Sequence, residues 1–339
     1  MTYMEAVVQA VCEEMRIDPR VFVMGQDVQC FSYADALGEF GPERIRNTPI
    51  SEAGFIGAGI GAALTGMRPV VEVAYSTFLY SAMDQIVSQA AKSRYMFGGQ
   101  TGVPVVFRAT VEYGTSAAAH HSDRPWGLFA QVPGLKIIVP TTPYEAKGLL
   151  KSGIRDGNPI LYFDDTTLVE ERGDVPIGDY TVPIGLADIK RSGCDLTIVA
   201  IGGAVRHSLA AAHRLEAEGI EVEVVDLRCV VPLDRRTIFA SVEKTRRLLV
   251  VDPAPRTCSV AAEVVATVAE DGPMPLKAPV MRLAAPDIPV PFSPGLEGMM
   301  YPTVDSITAA ARKQCTRQVY GREMLSSERA TFGTMSEPR

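Results

Sequence analysis

In the first half of the chain, apolar residues at helical spacing alternate with short continuous apolar runs. The chain opens on an apolar series at helical spacing, behind the capping-box signature of Thr2 and Glu5, which predicts a helix. Short and almost continuous apolar runs follow, separated by polar loops or by longer amphipathic stretches. Such runs are typical of strands buried on both faces, and we predict five of them. They cover residues 21–24, 69–74, 103–107, 135–139 and 159–163.

Helices are predicted between these runs, and the same alternation returns in the second half. One helix follows Ser51, one covers 78–92, and one starts at Thr142, where Pro143 and a capping-box Glu145 strengthen the prediction. Strands are predicted at 196–200, 222–227, 248–251 and 280–283, with helices at 205–218, 234–244, 260–270 and 304–313. Strands alternating with helices indicate parallel sheets covered on both faces, so we predict an α/β fold with two domains.

Composition along the chain suggests where the domains divide. Residues 166–193 mix charges with glycine and proline and lack a long periodic stretch, which suits an interdomain connection. We therefore expect an N-terminal parallel-sheet domain over 1–180 and a smaller α/β domain over 190–317. The polar tail at 318–339 is expected to be loosely ordered or used at an interface.

Charge and composition exclude several classes of function. A net charge of −7 and a pI near 5.3 give no electrostatic footprint for nucleic acid or an anionic membrane. No apolar run approaches the length of a membrane span, and the chain opens on an amphipathic helix instead of a signal region. The six cysteines are scattered without a C-x-x-C pair, which favours reduced thiols. We expect a cytoplasmic protein.

Residues 48–64 contain the first candidate for chemistry. Pro49 holds its segment extended, Ser51 is a good helix N-cap, and the small residues that follow suit a helix packed closely on a flat surface. Glu52 therefore lies at a helix start, where the helix dipole stabilises a carboxylate. Position alone leaves a structural and a catalytic role equally open.

Three short sequence motifs give further information about Glu52 and the residues that follow it. They are Thr-Pro-Ile-Ser-Glu-Ala-Gly-Phe at 48–55, Arg-Pro-Val-Val-Glu at 68–72, and Asp-Gln-Ile-Val at 84–87 with Lys92. Together they resemble the β subunit of thiamine-diphosphate-dependent 2-oxo acid dehydrogenases, the E1 component of the pyruvate, branched-chain 2-oxo acid and acetoin enzymes. The resemblance covers about residues 1–312. It implies a transketolase-like, pyrimidine-binding N-terminal domain and a transketolase C-terminal-like second domain.

The resemblance assigns roles to three side chains. Glu52 matches the glutamate that hydrogen-bonds N1′ of the cofactor's aminopyrimidine and makes the thiazolium C2 acidic. Phe78 matches the aromatic residue that packs on that ring, although an aromatic at helical spacing is more often plain core. His121, in a run resembling the family's His-Ser-Gln loop, matches the active-site histidine that stabilises the 2-oxo acid adduct or assists acyl transfer. His120 is a neighbour, and a surface histidine is the structural alternative for both.

A potassium site is also implied by the resemblance. Carbonyl groups and one carboxylate suit a hard cation. The matching positions are Val105, Gly153, Ile154, Asp156 and Asn158. A helix C-terminal turn explains the Gly157-Asn158 pair equally well.

Half of the cofactor site is missing from this sequence. The chain has no Gly-Asp-Gly segment with a downstream asparagine, which holds magnesium and the diphosphate in this superfamily, and the glycines at 57, 59 and 61 lack dinucleotide-site spacing. The resemblance thus implies that an α-type partner holds the Mg²⁺ and the diphosphate in an α2β2 heterotetramer. A lipoyl acyltransferase (E2) is a further possible partner, and the substrate would be a small 2-oxo acid.

The match departs from the family pattern near the expected substrate. Gln26 replaces a glutamate, Asp123 replaces a glutamine beside the histidine, and the loop over 25–48 is shorter than usual. A transketolase-like carboligase that forms carbon–carbon bonds without a lipoyl partner therefore remains an alternative. A non-catalytic scaffold chain is a third hypothesis, and Glu52 together with His121 argues against it.

Overall fold

A computed structural model describes residues 1–316, and the polar tail predicted over 318–339 lies outside this range. The helices are α1 (Tyr3–Ile17), α2 (Leu37–Phe40), α3 (Glu52–Leu64), α4 (Ala91–Met96), α5 (Trp126–Ala130), α6 (Pro143–Arg155), α7 (Ala204–Glu216), α8 (Arg235–Thr245), α9 (Val260–Asp271), α10 (Pro294–Glu297) and α11 (Val304–Thr316). The strands are β1 (Val21–Gly25), β2 (Ile45–Asn47), β3 (Arg68–Tyr75), β4 (Val106–Val111), β5 (Lys136–Ile138), β6 (Ile160–Asp165), β7 (Asp188–Arg191), β8 (Leu196–Ala200), β9 (Val222–Asp226), β10 (Cys229–Val231), β11 (Leu248–Pro255) and β12 (Met281–Ala285).

The strands form two sheets, which confirms the predicted two-domain α/β fold. The larger sheet has the order β10-β5-β6-β4-β3-β1-β2, and the smaller has the order β12-β11-β8-β9-β7. All pairs within them are parallel except β10 with β5 and β7 with β9. The short strand β10 follows β9 of the smaller sheet but pairs with β5 of the larger one, so backbone hydrogen bonds connect the two domains.

The two faces of the larger sheet are covered by different helices. Helices α1 and α6 pack on each other over one face, and α3 with the segment 76–90 covers the opposite face. The apolar cluster on the α3 face continues into the second domain, where Val199, Val225 and Val250 belong to it. The domains therefore share a continuous core.

The predicted helix over 78–92 is wrong as a single α-helix. The chain instead forms a 3₁₀ helix at Ser76–Ala82, a wider π-helical segment at Gln85–Ala90, and only then α4. Hydroxyl side chains explain the irregular start, because those of Ser76 and Thr77 bond to carbonyls of a distant loop. Single π-helical turns are frequent at functional sites.

Two further details differ from the sequence predictions. Strand β4 begins at Val106 instead of residue 103, since Pro104 has no N–H to donate to a sheet. At α6, Thr142 caps the helix by accepting from the N–H of Glu145, as predicted. The Glu145 carboxylate does not complete the capping box, because it bonds to Thr141 and to cations of the second domain.

Candidate active site

Glu52 lies beyond the carboxyl ends of β1 and of the edge strand β2 in the larger sheet. The N–H of Thr48 donates to the carbonyl of Gly25 at the end of β1 (3.0 Å), and the chain then turns into α3. The small residues of α3 let the helix approach β3 closely, since a Cβ at Gly59 would come within 2.6 Å of Val71 Cγ2. Close packing fixes the start of α3, and Glu52 with it, against the sheet.

The carboxylate of Glu52 is half-buried and has no partner within residues 1–316, since no hydrogen bond or ion pair there involves it. Ser51 occupies the N-cap position, as predicted, but its side chain makes no capping bond. A carboxylate at this helix end is stabilised in its charged form by the helix dipole. The geometry therefore presents an acceptor that the described part of the chain does not use internally.

Phe78 and His121 lie in one aromatic cluster. Their ring centroids are 5.3 Å apart, and Tyr75 contacts both, at 5.4 Å from Phe78 and 4.7 Å from His121. All three pairs meet edge to face, which is the favourable geometry for such rings. Sequence reasoning missed Tyr75, although its place at the end of β3, three residues before Phe78, could have indicated it.

Hydrogen bonds hold the His121 loop against the 3₁₀ helix. Ser76 Oγ donates to the carbonyl of Asp123 (2.6 Å), and Thr77 Oγ1 donates to that of His120. Tyr80 Oη donates to Asp123 Oδ2 at 2.9 Å, and burial together with this carboxylate raises the pKa of Tyr80 well above its ordinary value. His120 itself is exposed, whereas His121 is half-buried against the aromatic rings.

The backbone is strained on both sides of this cluster. Ala74, at the end of β3, and Ser116 and Ala118, in the histidine loop, have φ angles of 60°, 57° and 60°. Left-handed conformations of non-glycine residues cost of order 1–3 kcal/mol each and cluster at functional sites. The surrounding contacts must therefore hold the loop in this form.

The two elements that carry Glu52 and Phe78 pack on each other. Helix α3 contacts both the 3₁₀ helix and the π-helical segment after it. Phe55 and Ile56 of α3 share an apolar cluster with Leu79 and Ile86, and Phe78 packs against its edge. The predicted pyrimidine-binding residues thus lie on adjoining elements, and His121 contacts the ring of Phe78.

A buried ionic network, which sequence reasoning missed, lies on the other face of the sheet. Arg108 of β4 contacts Glu72 of β3 at 2.8 Å and Asp164 of β6 at 2.6 Å, and Tyr33 donates to Glu72 at 2.7 Å. Burial by itself lowers the pKa of Arg108, but the carboxylates of Asp164 and Glu72 have the larger combined effect and raise this pKa well above its ordinary value. The network ties together the three strands behind the site.

The residues predicted to bind potassium lie around the end of α6 and the turn into β6. The carbonyls of Ile154 and Asp156 accept from the guanidinium of Arg68, at 2.7 and 3.0 Å. The Asp156 carboxylate accepts from Lys136 at 2.5 Å and from the side-chain amide of Asn158 at 2.8 Å.

The two remaining carbonyls of the set also accept hydrogen bonds. That of Gly153 accepts from the N–H of Asp156, and that of Val105 accepts from the N–H of Ile160. A carbonyl oxygen carries two lone pairs, so each retains one that could face a cation. The Val105 and Gly153 carbonyls thus keep a lone pair each, whereas Ile154 and Asp156 already bond to Arg68 or Lys136.

A cavity borders the site without including its predicted residues. It has a volume of about 770 Å³ and lies between the two domains. Tyr80, Asp123 and Leu128 line it on one side, and residues 257–260 with Ala262 and Glu263 line it on the other. The Tyr80–Asp123 pair therefore separates the aromatic cluster from an open interdomain groove.

Two structural features are not found in the part of the chain that the structure describes. No helix among residues 1–316 has the length and apolar character needed to cross a membrane. No cluster of three or more histidine, cysteine, aspartate or glutamate side chains in this range could hold a metal ion.

Family models account for both halves of the chain. Residues 1–168 match the model described as "Transketolase, pyrimidine binding domain". Residues 185–307 match the model described as "Transketolase, C-terminal domain".

Characterised relatives align over almost the whole length. The β subunit of acetoin:2,6-dichlorophenolindophenol oxidoreductase from Bacillus subtilis is 44% identical over 322 residues, which covers 90% of this chain and 94% of that protein. The 2-oxoisovalerate dehydrogenase β subunit of the same organism is 43% identical, with coverage of 92% and 98%. The pyruvate dehydrogenase E1 component β subunit of Rhizobium meliloti is 41% identical, with coverage of 93% and 70%.

A solved structure described as "Split gene transketolase, inactive beta4 tetramer" has the same fold. Its TM-score is 0.79 at 22% identity, and the match covers 94% of this chain and 99% of that one. This structural match shows the fold alone, whereas the sequence relatives and the two family models also identify the protein family. The chain belongs to the family of β subunits of thiamine-diphosphate-dependent 2-oxo acid dehydrogenases, the E1 components.

Proposed function

We propose that this chain supplies the aminopyrimidine-binding half of an E1 active site and that an α-type subunit supplies the other half. The observation that carries this proposal is the free carboxylate of Glu52 on α3, beside the element that presents Phe78 and its contact with His121. The absence of a Gly-Asp-Gly segment from the sequence supports the division of labour. Mg²⁺ and the diphosphate would then be held by the partner.

Each residue of the site has a defined role in this proposal. Thiamine diphosphate, when bound, supplies a carbanion at its thiazolium carbon and an electron sink. Glu52 shares a proton with N1′ of the aminopyrimidine, from a helix start that keeps its carboxylate oriented. Phe78 offers an aromatic surface to that ring, and His121 holds or delivers a proton at the carbonyl oxygen of the substrate.

The reaction we propose is oxidative decarboxylation of a small 2-oxo acid, with acyl transfer to a lipoyl group. Two of the relatives named above act, by their names, on the 2-oxo acids 2-oxoisovalerate and pyruvate, which can lose CO₂ in this reaction. The third acts, by its name, on acetoin, a hydroxy ketone without a carboxylate, which would be cleaved to release an aldehyde instead of CO₂. These three compounds are the candidate substrates to test. An α2β2 arrangement and a lipoyl acyltransferase partner complete the proposed assembly. The departures at Gln26 and Asp123 lie where they would affect the choice of substrate.

Reconstitution tests this function. The chain would be purified alone and together with its α-type partner, and both would be supplied with thiamine diphosphate, Mg²⁺, each of the three candidate substrates and an artificial electron acceptor. We expect turnover only from the pair. Full turnover by the single chain would overturn the shared site, and carbon–carbon bond formation without reduction of the acceptor would favour a carboligase.

We also propose that K⁺ binds at the end of α6 among the carbonyls of Val105, Gly153 and Ile154 with Asp156 and Asn158. Support comes from the shared contact of the Ile154 and Asp156 carbonyls with Arg68, and from the lone pairs that remain on the carbonyl oxygens. The melting temperature in potassium chloride should then exceed that in sodium chloride at equal ionic strength. Equal melting temperatures would mean that Arg68 and Lys136 alone neutralise these oxygens.

A further inference from the structure

The second domain reaches across to the loop that carries His121. Glu297 of α10 is only 1% exposed, and its carboxylate accepts from two backbone N–H groups of that loop. Oε1 lies 2.8 Å from the nitrogen of Gly114, and Oε2 lies 3.0 Å from that of Ser116. Hydrogen bonds to an ionised acceptor are about twice as strong as neutral ones, so this is a firm clamp.

A second contact holds the other side of the same loop. The ring of Tyr301 meets that of Tyr113 edge to face, with centroids 4.4 Å apart, and Arg124 Cζ lies 4.2 Å from the centre of the Tyr301 ring. Tyr301 Oη also donates to the carbonyl of Ser122 at 3.4 Å. His121 therefore lies on a loop segment whose flanks at 113–116 and 122–124 are both held by residues 297–301.

Backbone strain shows why the loop needs such a clamp. Ser116, whose N–H is bound by Glu297, has a φ of 57°, and Ala118 has a φ of 60°. Residues with a Cβ keep this conformation only when their surroundings impose it. A loop released from Glu297 would relax toward ordinary φ values, and His121 would leave its contact with Tyr75 and Phe78.

We propose that Glu297 is a positioning residue for His121, acting from the second domain through the backbone of the histidine loop. This inference rests on the function proposed above, in which His121 touches the substrate. Both carboxylate oxygens of Glu297 bond to the loop backbone, so its loss should lower the rate of the bound complex and leave cofactor binding almost unchanged. A residue that merely stabilised the domain would change both together.

The test uses Glu297→Gln in the complete complex with the α-type partner. The amide keeps the size of the side chain but loses the charge and one acceptor, so an NH₂ group faces one of the loop N–H groups. We expect kcat to fall at least roughly tenfold, with the KM for thiamine diphosphate within about twofold of the wild type. Hydrogen exchange at the amides of Gly114 and Ser116 should become at least roughly tenfold faster. The control is Glu270→Gln, an exposed position on α9 of the same domain, which should match the wild type in all three measurements.

Unchanged kcat or unchanged exchange at the two amides would overturn the proposal, and so would parallel losses in kcat and in cofactor binding. If Glu297→Gln does not assemble, Glu297→Asp takes its place, because it keeps the charge but shortens the side chain by one methylene, and the same outcomes decide.

The His121→Ala variant distinguishes a failure of this proposal from a failure of the proposed function. If that variant is inactive while Glu297→Gln is fully active, only the positioning role fails, whereas an active His121→Ala would remove the role given to the histidine itself.

Discussion

Asp226, at the end of β9, is a buried carboxyl group at the junction of the two domains. It is fully buried, as is Glu145 of α6, and the hydroxyl of Thr141 lies between them. Thr141 Oγ1 is 2.8 Å from Glu145 Oε2 and 2.5 Å from Asp226 Oδ2. A hydroxyl has only one proton to donate, so the second contact requires a proton on one of the carboxyl groups. Asp226 is the better candidate, because Glu145 has the closer cations.

The charges around this pair balance only when Asp226 is neutral. Lys190 forms a hydrogen-bonded ion pair with Glu145 and lies 3.7 Å from Asp226. Arg228 contacts Glu145 at 2.5 Å and Asp188 at 2.8 Å. Two cations thus face Glu145 and Asp188. An ionised Asp226 would add an uncompensated buried charge, which is costly.

This arrangement makes the stability of the protein depend on pH. Burial, followed by the Glu145 carboxylate, raises the pKa of Asp226 from its ordinary 3.8 to about 7. Stability gained from the protonated form is fully present below pH 3.8 and is lost as the pH rises through about 7. Each pH unit in that interval is worth about 1.4 kcal/mol, so the whole interval is worth about 4 kcal/mol.

Asp226→Asn isolates this contribution, since its amide resembles the protonated acid but does not titrate. The free energy of unfolding would be measured by urea denaturation of variant and wild type at pH 5 and pH 8. From pH 5 to pH 8, the free energy of unfolding of the variant should rise by about 3 kcal/mol relative to that of the wild type, because only the folded wild type loses a proton at this position. Asp174→Asn, at an exposed position, should show no such gain. A difference that stays constant or shrinks as the pH rises would refute the reasoning.

Three other substitutions test the packing around the site. Arg108→Ala leaves Asp164 buried without its cation, and should cost about 3–5 kcal/mol in the free energy of unfolding; a loss below about 1 kcal/mol would contradict the network. Gly134→Ala should destabilise by more than about 3 kcal/mol, because φ is +101° and the new Cβ would come within 2.1 Å of the Ala91 carbonyl oxygen. Gly61→Ala, in the exposed interior of α3 with open space around it, should instead stabilise by about 0.5–1 kcal/mol, and effects of the same sign at both glycines would refute the contrast.

Local patterns predicted most of the fold because they depend on residues close together in the sequence. The capping box of Thr2 and Glu5 is present, and the apolar runs form β1, β3 and β5 almost where they were predicted. Strand β10 escaped prediction, since three residues carry no periodicity and its partner, β5, lies about ninety residues earlier. Glu145 was assigned to a capping box by its spacing, but tertiary partners outweighed that local bond.

The residues proposed to act directly were predicted from the sequence, whereas the residues that hold them in place were not. Glu52, Phe78 and His121 were predicted from the family-like sequence motifs in which they occur. The contact of Tyr75 with His121 depends on how the end of β3 meets a loop over forty residues away. Glu297 is farther still, and no spacing in the sequence connects it to Gly114. Such supporting contacts are long-range and leave no periodic trace.

The central claim concerns the Glu52 carboxylate, and turnover by Glu52→Gln in the complete complex tests it most directly. The variant keeps the shape of the side chain at the start of α3, so assembly with the α-type partner should be intact by gel filtration. Reduction of the artificial electron acceptor with the preferred 2-oxo acid should fall by at least about 100-fold, while Glu270→Gln keeps wild-type activity. A Glu52→Gln complex that assembles and retains most of its turnover would contradict the account.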